Sequence, residues 1–413
     1  MNKTQKIELL NELSLKQKCL SDNCREKNIL KNPFSAYTCP QIAEKEYEVL
    51  FKNNPQLIGL SSDLPKKNSF FTTDYLNIPL LLTRDENNKF HAFVNACRHR
   101  GARIESDSRG VKECFTCPYH CWRYSNNGDL LSYPDKKKFG EIETKEINLH
   151  EISSEEKYGM LWVNFSKTKS EIIVDDILSG FKDEIDTWRL QDYDYADGFV
   201  IRKNCNWKLI MDTFGESYHI PRLHKHTLGH LSIDLSLFEV DSNNSRWVFA
   251  KSAIINFNTI INESNWDFFD MASVFYFLFP NIQLGFFKNF IGLFVVTPDI
   301  GSISKSTIHV SIYRPKTIPQ DCNAIVKNTN IKYKDYFIRE ETQSNPDCLD
   351  SIRYSIQEIF EKEDCLMATR IQESAYTNFF PFQILGHNEL LLQHFHNTIR
   401  RHLELPPLDS YKH

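Results

Sequence analysis

Two Cys/His pairs stand out in the chain: Cys97-Arg-His99 and, after 17 intervening residues, Cys117-Pro-Tyr-His120. Two such pairs carried on two loops can clamp one metal group. Thiolates suit an iron that holds its charge, and two neutral imidazoles on a second iron leave a binuclear cluster less negative and easier to reduce. Zinc is the competing use of four such ligands, but zinc ligands usually come as a Cys pair and a His pair rather than as two alternating Cys–His units. The second dense stretch reads Asn206-Trp-Lys-Leu-Ile-Met-Asp212-Thr-Phe-Gly-Glu216-Ser-Tyr218-His219-Ile-Pro-Arg-Leu-His224. Asp212 and Glu216 are spaced i,i+4, and Glu216 and His219 i,i+3, so on a helix the three share a face. Pro221 should disturb that helix and turn His224 back toward His219. Two imidazoles from such a break plus one distant carboxylate make the facial triad of a non-haem Fe(II) centre, whose open positions admit O2 and substrate. A lone His is more often an ordinary core or surface residue. The occurrence of both constellations in one chain weighs against that reading here.

The elements that must carry these residues are legible as changes of periodicity. Residues 5–30, with Ile7, Leu9, Leu10, Leu13 and Leu15 among charges, read as a peripheral helical arm. From about residue 68 the pattern turns to short β-rich runs. Asn77–Thr83, the polar turn Asp85–Lys89 and Phe90–Val94 form a hairpin signal. Further runs at Tyr158–Phe165 and around Cys114 and Trp122 complete a small all-β domain. Val174–Arg189 reads as helical, and Asp197–Phe214 passes from a β-like run into a helix. Three long β-like runs follow at Val274–Phe287, Phe290–Thr297 and Ser306–Arg314, joined by turns short enough to force antiparallel pairing. The amphipathic stretch Leu349–Ala375 predicts one long helix packed on that sheet. The predicted fold class is α+β, with an arm over 1–37, an all-β domain over 38–168 and a sheet-plus-helix domain over 169–413.

Composition excludes several classes of partner. Hydrophobic residues make up 41% of the 413 and charged residues 25%, ordinary usage for a chain with a sizeable core. A net charge of -5, with both signs interspersed, offers no basic field for nucleic acid. The N-terminus lacks the apolar run of a secretory signal. The most apolar stretch, Val274–Thr297, is broken by Pro280, Asn281, Gln283, Lys288 and Asn289, which leaves no membrane span. Eleven cysteines without an export signal point to reduced thiols and metal ligands in a cytoplasmic setting.

The sequence C-R-H-R-G-A from Cys97 to Ala102 with C-P-Y-H-C-W from Cys117 to Trp122 resembles the Rieske signature of ring-hydroxylating non-haem iron oxygenases, alpha subunit. The pattern N-W-K-x3-D-x3-E-x-Y-H-x4-H continues the resemblance, which extends over about residues 38–400. It implies that Cys97 and Cys117 hold one iron of a [2Fe–2S] cluster and His99 and His120 the other, with Gly101 giving the turn and Trp122 packing beneath. Cys121 departs from the Gly or Ala usual after the second His. A Cys114–Cys121 disulfide of the kind that braces respiratory-chain Rieske proteins is not expected, because the offsets differ. For the mononuclear Fe(II) the resemblance implies His219, His224 and a downstream Asp from an acidic pair followed by Gln. Glu363-Asp364 with Gln372 fits, Asp364 directly and Glu363 as the alternative. His226 and His230 miss the H-x4-H offset. Glu216 stands where the family most often has an Asp that bridges a cluster His of one subunit to an iron-ligand His of the next. Members acting on quaternary ammonium compounds such as carnitine are similar in placing Glu there. Asp212 is expected to hydrogen-bond the ligand shell, and Thr213 replaces a common Asn.

The resemblance implies an all-β Rieske domain followed by a helix-grip catalytic domain, acting as a terminal oxygenase on a small organic substrate and O2. Electrons would come from NAD(P)H through a flavin/iron–sulfur reductase or ferredoxin, since the chain has no G-x-G-x-x-G loop of its own. Mono- and dioxygenation, aromatic hydroxylation and oxidative C–N cleavage all stay open. Family members assemble head to tail because cluster and iron of one subunit lie too far apart, and a homotrimer is the expected form. An electron carrier, the other class compatible with the cluster motif, would have no use for His219, His224 and Asp364.

Overall fold

The computed structural model describes residues 1–18, 28–140, 142–166, 171–229, 232–257, 266–317 and 349–411. The chain divides into two compact units, one of residues 47–177 and 189–194, the other of residues 1–46, 178–188 and 195–413.

The first unit is built on a seven-stranded antiparallel sheet. The predicted hairpin is its centre. Ile78–Arg84 pairs with Phe90–Val94, and Asp85 closes the turn by accepting at Oδ1 from the Asn87 and Lys89 amides, each at 2.8 Å. A second, three-stranded sheet of Cys114–Thr116, Arg123–Ser125 and Leu130–Ser132 carries one cysteine loop between its first two strands. Phe70, Phe93, Phe115 and Trp122 form a core that also buries Cys97 and Cys117.

The second unit has a seven-stranded antiparallel sheet in the order Tyr193–Lys203, Ser306–Pro315, Ile291–Pro298, Ile282–Phe286, Ala272–Leu278, Asn244–Lys251, Ser232–Asp241. The expected run Val274–Phe287 is two strands, because Phe279–Asn281 turns the chain back and pairs Phe275 with Gly285. The helix predicted over Leu349–Ala375 is present, but its middle eight residues, Gln357–Asp364, are wound as π-helix. The expected arm is not peripheral: helix Lys3–Lys18 buries Leu9, Leu10 and Leu13 and packs on the edge strand Ser232–Asp241 and helix Phe268–Met271. Residues 19–27, also read as helix, lie outside the described residues, and Leu30–Pro33 is a strand. Helix Val174–Arg189 is two short helices, Val174–Leu178 and Lys182–Thr187.

A single helix through Asp212, Glu216 and His219 is not what forms. Trp207–Thr213 is a helix capped by Asn206, whose side chain accepts from the Lys208 amide. It ends before Gly215, where an added Cβ would meet Leu392 at 2.3 Å. A separate turn, Ile220–Leu223, begins after His219, with Pro221 in its first turn, where a missing amide costs no hydrogen bond.

Candidate metal centres

The two cysteine loops of the first unit are copies of one backbone design. Cys97 donates its amide to the Ala102 carbonyl and accepts at its own carbonyl from the Gly101 amide, both at 2.8 Å. Cys117 does the same with Trp122 at 2.8 Å and Cys121 at 3.0 Å. The fifth residue of each loop is left-handed, Gly101 at φ 78° and Cys121 at φ 58°. The loops bring the Cys97 and Cys117 side chains within hydrogen-bond reach and the His99 and His120 ring centroids to 4.6 Å. His99 stacks on Trp122 at 5.0 Å and 7°. Burial pushes the Cys97 thiol up, against the Tyr124 hydroxyl and the His99 amide, which both lie in hydrogen-bond contact with it. Because the Tyr124 hydroxyl accepts from the Arg98 amide at 3.1 Å, its proton is free to go to the Cys97 sulfur 3.4 Å away. Cys114 and Cys121 are free thiols, the former accepting from Arg123.

In the second unit His219, His224 and Asp364 each offer a ligand atom to one point, all within 4.8 Å of one another. Asp364 Oδ1 lies 3.1 Å from His224 Nε2 and 3.5 Å from His219 Nε2. The opposite nitrogens are held by carboxylates. His224 Nδ1 is 2.6 Å from Glu363 Oε2, which also accepts from Thr227. His219 Nδ1 meets Glu216 Oε1, while Glu216 Oε2 accepts from the His219 amide at 3.0 Å. An Nδ1–H donated to a carboxylate leaves the lone pair on Nε2. Burial opposes a charge on His224, but Asp364 and Glu363 together hold the free imidazole above its ordinary pKa. Glu363 therefore orients a ligand while Asp364 joins the triad, although neighbours on an α-helix point about 100° apart. The π-helical segment ends at Asp364 and changes that register.

Asp212 does not reach either imidazole of the triad. Its carboxylate accepts from the Tyr37 hydroxyl at 2.6 Å and lies 2.8 Å from His396 Nε2, an anchor for the helix Trp207–Thr213 that the sequence does not reveal. His226 is exposed, and His230 lies outside the described residues.

Beside the triad is a cavity of about 270 Å3. Trp247, Phe275 and Phe294 line one part of it, and Ile352, Ile359 and Phe360 of the long helix line another. Gly285 and Gly292 face each other across two strands. A Cβ on Gly285 would come within 2.9 Å of the Phe275 ring, so glycine there leaves that cavity-lining ring its place.

Residues 186–405 match the family Ring hydroxylating alpha subunit (catalytic domain), and residues 54–149 match the Rieske [2Fe-2S] domain. This chain belongs to the ring-hydroxylating alpha subunits. In these alpha subunits the Rieske domain binds a [2Fe–2S] cluster and the catalytic domain a mononuclear iron. Both groups fit the residues present. His99 Nδ1 is buried without a hydrogen-bond partner among the described residues, a nitrogen that a metal bond would satisfy. At the triad, two imidazole nitrogens and a carboxylate oxygen face one another, the donor set of a facial non-haem iron site.

The alpha subunit is similar to the carnitine monooxygenase oxygenase subunit of Acinetobacter baumannii, 27% identical over 54% of this chain and 60% of that protein. It is also similar to the glycine betaine monooxygenase oxygenase subunit of Pseudomonas aeruginosa, 27% over 55% and 53%, and to the chloroplastic choline monooxygenase of Beta vulgaris, 26% over 77% and 71%. The chain thus spans between half and two thirds of the length of the first two relatives. Its fold is that of a quaternary ammonium Rieske monooxygenase solved with L-carnitine, at TM-score 0.71, 17% identity and coverage of 91% and 95%. It is equally that of naphthalene 1,2-dioxygenase from Rhodococcus sp., at TM-score 0.70, 16% identity and coverage of 97% and 98%. Among the described residues no helix is long and apolar enough to cross a membrane.

Proposed function

We propose that this chain is the terminal oxygenase component of a Rieske non-haem iron oxygenase, hydroxylating a small organic substrate with O2 and with electrons from NAD(P)H that a flavin/iron–sulfur reductase or ferredoxin delivers. The observation that carries the reading is the pair of imidazoles, each tied at Nδ1 to its own carboxylate and facing Asp364 at the edge of an aromatic cavity. An electron carrier needs neither triad nor cavity. Cys97, Cys117, His99 and His120 would hold the cluster, and His219, His224 and Asp364 the iron. When bound, the cluster supplies single electrons and the iron the activation of O2.

The chain's own residues do the positioning. Glu216 and Glu363 fix the tautomers of His219 and His224. Phe214, Phe360 and Ile359 line the cavity beside the triad and keep water from it. Three relatives are named for carnitine, glycine betaine and choline. Aromatic faces attract quaternary ammonium groups, so such compounds, oxidised beside nitrogen with C–N cleavage, are the favoured substrates. The assembly is a cytoplasmic homotrimer in which Glu216 links His219 to the neighbouring subunit's cluster. Metal analysis tests the reading: about three Fe and two acid-labile sulfides per chain are expected, with a Rieske signal in electron paramagnetic resonance. Stoichiometric zinc in their place overturns it.

A further inference from the structure

We propose that Lys251 anchors a carboxylate of the substrate, so that the cavity selects small molecules with an anionic end and an apolar or methylated-ammonium body over the plain cation choline. The proposal rests on the oxygenase reading above and adds the residue that sets its specificity. Lys251 is the last residue of the strand Asn244–Lys251. Strand alternation puts it on the face of Trp247 and Phe249, and all three line the cavity. Apart from the imidazoles, the charged side chains in that lining are Lys251 and Asp364. Asp364 belongs to the triad, which leaves Lys251, among the described residues, as the charge available to a ligand.

The ammonium has room for one. Of its three N–H groups, one goes to the Phe269 carbonyl at 2.5 Å, and no carboxylate among the described residues forms an ion pair with it. The nearest acids are already used: Lys288 holds Asp270 at 2.7 Å and lies 3.9 Å from Asp267. An ammonium in an apolar cavity without a counter-ion is a costly arrangement, and a ligand that brings the anion removes the cost. The strain is visible in its acidity. Burial pushes Lys251 down to about 8, with Asp270 opposing and Lys288 assisting. A packing lysine would gain nothing from such a place, whereas an anion site does. The rings of Trp247, Phe275 and Phe294 give the ligand's body a surface to lie on.

The groups that face the ammonium from its surroundings are Asp267 and Asp270 at the helix Phe268–Met271, Lys288 in the following hairpin, and Lys6, whose ammonium lies 5.5 Å from the Phe269 ring. Burial moves the titration of Lys251 toward neutrality, so it is the charge followed between pH 7 and 9. Its charge, and with it carboxylate binding, is present below pH about 8 and declines as pH rises through that value.

The test is calorimetric titration of the iron-loaded protein, without O2, using glycine betaine, L-carnitine, benzoate and choline. Lys251→Met is expected to weaken the three carboxylates about 10- to 100-fold, as loss of a charge-assisted hydrogen bond does, and to leave choline unchanged or tighter. Lys251→Arg should keep carboxylate binding within severalfold. Affinities of the carboxylates that stay within twofold in Lys251→Met, or a loss shared equally by choline, overturn the proposal. Should Lys251→Met fail to fold, the wild type decides: glycine betaine affinity must fall between pH 7 and 9.5 while choline affinity does not, and a flat profile overturns the anchor. A protein that carries cluster and iron but binds none of the carboxylates overturns the anchor and leaves the oxygenase reading standing. Absence of iron overturns the reading itself.

Discussion

At the scale of single residues, Gly101 and Cys121 hold one place in two copies of one loop, yet only Gly101 has a backbone made for it. A left-handed non-glycine residue costs about 1–2 kcal/mol, and Cys121 at φ 58° bears that strain beside the cluster. Cys121→Gly should therefore raise the midpoint of thermal bleaching of the cluster absorption, with the bound-iron count unchanged; a lower midpoint would show that the thiol makes a contact worth more than the strain. The triad separates two neighbouring acids in the same manner. Asp364→Asn is expected to remove the mononuclear iron, leaving two of the three Fe per chain, whereas Glu363→Gln keeps a hydrogen-bonding shape on His224 and should weaken iron binding by about 10–100-fold. Iron titration of the two variants checks the order, and a reversed order would make Glu363 the ligand. The ligand types and their spacing were legible in the sequence because a loop that clamps metal fixes the intervals between its ligands. Tyr124, Tyr37 and His396 were not, since each reaches its partner across a fold that no local interval encodes.

At the scale of elements, periodicity told where helices and strands lie better than where they stop. The run Val274–Phe287 is apolar throughout except at Pro280, Asn281 and Gln283, so a hairpin inside it leaves little trace in composition. The interval of Asp212, Glu216 and His219 fits one helix, but Gly215 against Leu392 ends the first helix and Glu216 accepts from the His219 amide at the start of the next turn. The carboxylate and imidazole still meet, now through a turn. The long helix was readable from Ile352, Ile356, Ile359 and Phe360, while its π-helical centre was not, because one inserted residue shifts an apolar stripe by less than its width. That insertion has a purpose at Asp364. Deleting the exposed Lys362, which among the described residues pairs with Glu358 along the helix, should return Gln357–Asp364 to α-helical winding and turn residues before and after the deletion about 100° apart. The expected result is loss of mononuclear iron with the cluster spectrum and helix content retained. Retained iron would show that the segment tolerates either winding.

At the scale of the whole molecule, the proposal requires that electrons leave the cluster of one chain and reach the iron of another through Glu216. Each Glu216 oxygen is engaged by its own His219, Oε1 at Nδ1 and Oε2 at the amide. A carboxylate oxygen has a second lone pair, so either can also accept from a donor on the neighbouring subunit. Two inactive variants turn this into a count. A Cys117→Ser chain keeps the iron triad and loses the cluster; a His219→Ala chain keeps the cluster and loses the iron. Neither chain can turn over alone. Co-expressed in equal amounts and assembled at random into a head-to-tail ring of three, one ordered junction in four joins an intact cluster to an intact iron, so about a quarter of wild-type turnover should return. Electron transfer within each chain returns none, since no chain holds both sites. Adding Glu216→Gln to both variants should abolish the recovered activity while leaving metal content and ring size as they were. Recovery that survives Glu216→Gln would keep the ring and dismiss the bridge; no recovery in a verified mixed trimer would dismiss transfer between subunits.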